Sequence, residues 1–88
     1  MKIEYLHKEP CRRLILIFGG WSTQPGMYSS IGIPGWDVAV VYDYDALQPI
    51  NSELDGYDTI YLFAWSLGVY AADMTLDAKK ITKAFAIN

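Results

Sequence analysis

The chain has 88 residues, 52% hydrophobic and 19% charged, with a net charge of -3. That is a globular balance sufficient for one small domain, which excludes intrinsic disorder and a multidomain layout. Its basic residues cluster no further than the pairs Arg12-Arg13 and Lys79-Lys80, so a nucleic-acid or anionic-membrane surface has no electrostatic footprint here.

Lys2–His7 sets Ile3, Tyr5 and His7 against Lys2, Glu4 and Leu6, the loose period-2 pattern of an exposed strand, and Glu9-Pro10 breaks it. Cys11 is the single cysteine, so neither an internal disulfide nor a cysteine metal cluster can form, and beside Pro10 it reads as a reduced thiol. Met1–Tyr5 lacks the apolar core of a signal peptide. Apolar runs such as Leu14–Phe18 are far shorter than the ~20 residues that span a bilayer. A soluble, cytoplasmic protein is expected.

Arg12–Phe18 is a continuous apolar run after its two arginines, the signature of a strand buried on both faces, as in a parallel sheet. It stops at Gly19-Gly20. Trp21–Gly35 is rich in Gly, Ser and Pro and reads as a loop with room for one short helix around Pro25–Ile31, where a leading proline suits the first turn. Asp37–Tyr42 is a second buried-type strand, closed by Asp43-Tyr44-Asp45. Ala46–Asp58 is ambiguous, with Pro49 and Gly56 leaving space for a turn or two of helix. Thr59–Phe63 is the third buried strand. Leu67–Asp77 reads as a helix whose Gly68, Ala71 and Ala72 lie close on the sheet, Lys79–Lys83 turns back, and Ala84–Ile87 begins another apolar strand. Strands alternating with helical segments predict an α/β fold with a mostly parallel sheet and crossover helices.

The chemistry gathers where the third buried strand meets the helix, at Ala64-Trp65-Ser66-Leu67-Gly68. A strand, a sharp turn bearing one serine and a helix make a nucleophile elbow, usually written G-x-S-x-G. Small residues flank the serine because strand and helix pass close together there. Alanine, next smallest after glycine, stands in the first place.

At Gly19-Gly20-Trp21-Ser22 and Ala64-Trp65-Ser66-Leu67-Gly68 together, the sequence resembles the α/β-hydrolases. More narrowly, it is similar to the small esterases that cleave the methyl ester of pimeloyl-acyl carrier protein in biotin synthesis. The likeness lies in Phe18-Gly19-Gly20-Trp21, in Val41-Tyr42-Asp43-Tyr44 and in the elbow running to Val69. The resemblance implies the spatial strand order first, third, second, fourth, fifth, with the first strand antiparallel. It also implies that these residues form the N-terminal part of a single, incomplete α/β-hydrolase domain, whose catalytic Asp and His lie beyond Asn88.

Acyl transfer by serine needs a nucleophile, an oxyanion hole, a base and an acid that orients the base. Ser66 is the candidate nucleophile. The N–H of Leu67, just after it, is one oxyanion donor, aided by the positive end of the helix. The N–H of Trp21, in the loop after an earlier strand, is the other, and each donor is worth roughly 3 kcal/mol in the transition state. Gly20 and Trp65, together with Trp21, are expected to line the acyl pocket. No histidine follows Ser66, and the single one, His7, reads as an exposed or half-buried surface residue. Without a base such a serine loses on the order of a million-fold in turnover, so the 88 residues alone are expected to be inactive. Asp73 and Asp77 read as solvated charges on the helix, and Asp43 and Asp45 as a solvated strand end rather than a metal pair. Neither a metal nor a cofactor is expected.

The substrate implied by the resemblance is an acyl ester carried on acyl carrier protein, with a thioesterase or acyltransferase using the same serine as an alternative. A different class of reading is a non-catalytic remnant or interaction module that self-associates through an open sheet edge.

Overall fold

The computed structural model describes residues 1–20 and 33–87. Its strands are β1 (Lys2–His7), β2 (Arg13–Phe18), β3 (Asp37–Tyr42), β4 (Thr59–Trp65) and β5 (Lys83–Ile87), with one α-helix, α1 (Leu67–Thr75), among the described residues. They form one five-stranded sheet in the order β1-β3-β2-β4-β5. β1 runs antiparallel to β3, while β2, β3, β4 and β5 are mutually parallel neighbours. The expected α/β class and strand order are those found.

β2 and β3 are buried on both faces, which is why their sequences read as unbroken apolar runs. β4, expected to be equally buried, encloses Ile60 and Ala64 on one face and leaves Tyr61 and Phe63 half-buried on the other. Leu14, Leu16 and Phe18 of β2 join Ala39, Val41, Ile60 and Ala64 in the larger core, and Ala71 and Ala72 of α1 close over it. On the opposite face Ile17, Val38 and Val40 form a second cluster with Ile15, Leu6 and Trp65 against it. β1 is an edge strand with a half-exposed pattern, and its register slips between Tyr5 and His7 just before Glu9-Pro10 ends it.

Four boundaries differ from the sequence reading. β2 begins at Arg13, one residue late. β4 runs on through Ala64 and Trp65, because these pair in register with Ala86 and Ile87. α1 stops at Thr75 rather than Asp77. Leu76 turns to extended backbone and the buried Thr75 hydroxyl donates back to Ala71 O at 2.7 Å. Asp77 thus lies past the helix, where its carboxylate accepts from Lys79 N–H to cap the 3-10 turn Ala78–Lys80. β5 begins at Lys83, one residue early, with Thr82 bridging to Ile60 through both its backbone and its hydroxyl.

The ambiguous Ala46–Asp58 segment holds a single 3-10 turn, Asn51–Leu54, that drops Ile50 and Leu54 into the core. It is tied to the end of α1 by Asp77 N–H donating to Asn51 Oδ1 at 2.9 Å. The crossover from β3 to β4 is therefore made without an α-helix. The helix expected around Pro25–Ile31 lies outside the described residues.

Candidate active site

β2 and β4 end side by side, Phe18 level with Ala64, so Gly19-Gly20 and Trp65-Ser66 emerge together at the carboxyl edge of the parallel strands. That edge is where open α/β sheets hold their ligands. Between β4 and α1 the chain reverses on Ser66, at φ 55° and ψ -130°, backbone that L residues with a side chain rarely adopt. Strain of this kind, of order 1–3 kcal/mol, gathers at functional sites. The turn is pinned from both sides. Ser66 N–H donates to Ile87 O at 3.1 Å, and Ser66 O accepts from Val69 N–H at 3.1 Å. Ser66 is exposed, and its hydroxyl makes no capping bond to the helix it begins.

Gly68 explains how the elbow closes. A Cβ there would lie 2.2 Å from Phe18 O and 2.6 Å from Gly19 O, so α1 rests directly on the backbone leaving β2. Gly20 faces the serine, and a Cβ on it would be 3.3 Å from the Ser66 Cβ and 3.5 Å from the Trp65 ring. Leu67 is the first residue of α1, where an N–H has no partner within the helix. The structure thus brings together Ser66, Leu67, Gly20 and Trp65. Trp21, expected to give the second oxyanion N–H, lies outside the described residues.

His7 is not part of this group. It sits on β1, with β3 and β2 between it and β4, level with Val38 near the start of β3 and so at the other end of the parallel strands. Its side chain is half-exposed and its Nε2 is 2.6 Å from Glu9 Oε2. Asp73 is exposed on α1. Asp43 pairs with Lys2 at 3.6 Å, and among the described residues no three His, Cys, Asp or Glu side chains gather in a group able to hold a metal ion.

Two features escape sequence reasoning. Tyr44, just past β3, has its hydroxyl 2.8 Å from Gly19 O and its ring stacked on Phe18. The signal is the Tyr-Asp-Tyr strand end, whose meaning appears only once β2 and β3 are adjacent. The second is Asp37, 99% buried at the opposite end of the sheet. It accepts bonds from Glu9 N–H at 2.7 Å, Cys11 Sγ at 3.3 Å, Lys8 Nζ at 3.3 Å and the Tyr57 hydroxyl. Burial pushes its pKa up, but these donors outweigh it and hold the carboxyl below its ordinary value. Burial and the bond to Asp37 push the Tyr57 phenol well above its own. This cluster anchors the β1–β2 loop to β3 and lies far from Ser66.

Residues 1–88 match the family model described as pimeloyl-ACP methyl esterase BioG. The crystal structure of BioG from Haemophilus influenzae is similar at a TM-score of 0.84 and 32% identity, over 98% of this chain and 40% of that one. An uncharacterised protein of Haemophilus influenzae is 37% identical over 76 residues, 85% of this chain and 35% of the relative. A malonyl-[acyl-carrier protein] O-methyltransferase of Bacteroides fragilis is 34% identical over 65 residues, 74% of this chain but 13% of the relative. The chain therefore spans well under half the length of each of these proteins.

Proposed function

The chain belongs to the BioG family of pimeloyl-ACP methyl esterases, and from that premise we propose that it carries the nucleophile and oxyanion half of a serine carboxyl-esterase acting in biotin synthesis. The observation that carries this reading is Ser66 itself: exposed, at positive φ, uncommitted to capping, and facing Gly20 across the carboxyl edge of the sheet. Ser66 Oγ attacks the ester carbonyl of an acyl methyl ester borne on acyl carrier protein. The oxyanion accepts from the N–H groups of Leu67 and Trp21. Collapse of the tetrahedral adduct breaks the acyl–oxygen bond, and the proton taken from serine leaves with methanol. Water then attacks the acyl-serine and restores the hydroxyl. The base is assigned to the part of the relatives' length that this chain does not span, since none of the described residues offers one beside Ser66. A thioesterase would use the same apparatus, and comparing methyl esters with thioesters separates the two.

The test is Ser66→Ala in the whole protein. Turnover should fall by about a million-fold and the acyl-enzyme trapped from wild type should vanish. Turnover that survives the substitution overturns the assignment.

One observation favours a second reading alongside this one. Every residue of β5 is exposed, including Phe85 and Ile87, and its outer edge pairs with none of the other described strands. Such an edge is a template for another strand, so the 88 residues in isolation are expected to self-associate. An isolated chain that stays monomeric at high concentration would remove this reading.

A further inference from the structure

We propose that Tyr44 is a positioning residue for the oxyanion hole, acting by holding the Gly19–Gly20 peptide in place beside Ser66. Two consecutive glycines give the loop after β2 a wide range of backbone conformations, yet the oxyanion donors need a fixed direction. The Tyr44 hydroxyl supplies the hold. Its oxygen is 2.8 Å from Gly19 O and 3.1 Å from Val41 O, so its single proton is given chiefly to Gly19 from a point anchored at the end of β3.

The ring is itself fixed, stacked on Phe18 with centroids 6.3 Å apart and planes 12° from parallel. Asp43, immediately before it, holds φ 59°, a turn that a non-glycine residue seldom takes. The same Gly19 carbonyl also lies close to Gly68, where a Cβ would be 2.6 Å away. Tyr44 and α1 thus both bear on one carbonyl. Because a peptide is planar, fixing the Gly19 carbonyl also fixes the direction of the Gly20 N–H. Gly20 is the residue that faces Ser66.

The inference rests on the reading of Ser66 as nucleophile, so Tyr44→Phe and Ser66→Ala are made together in the whole protein. Phenylalanine keeps the ring stack and deletes only the donor. For Tyr44→Phe, kcat should fall about ten- to a hundredfold, the loss a small misplacement of a catalytic group brings, with KM nearly unchanged. Inhibition by an alkyl boronic acid, whose tetrahedral serine adduct fills the oxyanion hole, should weaken in step with kcat.

A tyrosine analogue fluorinated so that its phenol ionises near neutral pH gives a second route. It donates while protonated, and activity should drop as rising pH removes that proton, a profile absent from wild type. This variant decides the matter if Tyr44→Phe does not fold. Activity surviving in Ser66→Ala overturns the esterase reading. An inactive Ser66→Ala beside a Tyr44→Phe of undiminished kcat and boronate affinity, or a flat pH profile for the fluorinated protein, overturns the role of Tyr44 alone.

Discussion

At Gly68 the space available is set by backbone, which cannot step aside as a side chain would. A methyl group placed there meets Phe18 O at 2.2 Å and Phe18 C at 2.7 Å, so either α1 lifts from the sheet or the end of β2 bends. Gly68→Ala is expected to lower stability by about 1–3 kcal/mol, the usual cost of overpacking, and to displace Gly19-Gly20 from Ser66. Gly56 is the internal control, since nothing lies within 4 Å of a Cβ there and Gly56→Ala should unfold close to the wild-type temperature. Thermal unfolding of the two variants makes the comparison. The elbow was readable in the sequence because its steric demand is local: small residues around one serine at a strand–helix junction admit few other structures. Tyr44 was not readable, because a tyrosine after a strand is ordinary until the strand beside it is known.

Among the elements, the parallel strands announce themselves by unbroken apolar runs, and β2, β3 and β4 begin and end within two residues of where composition puts them. The Ala46–Asp58 connection does not, because it is held by single long-range contacts. Ile50 and Leu54 drop into the core, and Asn51 reaches Asp77, 26 residues on. The start of β3 carries the other hidden feature, the buried Asp37. Its depressed pKa means that the ionised carboxylate stabilises the fold. That contribution is complete above the ordinary carboxylate pKa of the unfolded chain and is lost as pH falls through the lower, folded value. Asp37→Asn should therefore cost about 2 kcal/mol near neutral pH, as expected for a hydrogen-bonded charge replaced in a buried site. It should also flatten the acid limb of the stability curve. Glu9, whose pKa is also lowered, chiefly by its bond to His7, contributes with the same sign, so the slope is reduced and not abolished. Denaturant unfolding of both proteins across the acid range checks the sign: an unchanged acid limb in Asp37→Asn would refute it.

Across the whole molecule, burial falls from the centre of the sheet towards β5. β2 and β3 are almost wholly enclosed, whereas β5 is exposed along its length. Yet β5 reads Lys-Ala-Phe-Ala-Ile, the composition of an interior strand, and Phe85 continues an aromatic run with Phe63 and Tyr61 across to Trp36. An apolar strand was legible at this place in the sequence, but the want of cover on both its faces was not, because cover is a property of the assembled sheet. If this edge drives self-association, Phe85→Lys with Ile87→Lys should lower the mass seen in sedimentation of the 88-residue chain. Ile87 is 61% exposed, so its replacement should leave the unfolding temperature nearly unchanged, whereas Phe85→Lys also removes the stack on Phe63 and should lower it. An unchanged mass would assign the contact to another surface. No helix among the described residues is long and apolar enough to cross a membrane.

The bond from Ser66 N–H to Ile87 O gives this gradient a further meaning. Ser66, the proposed nucleophile, takes its footing on the least enclosed of the described strands, so fraying of that border and loosening of the elbow are a single event. A polypeptide paired with β5 would therefore also steady Ser66, so that the elbow is braced from the rim of the sheet inward.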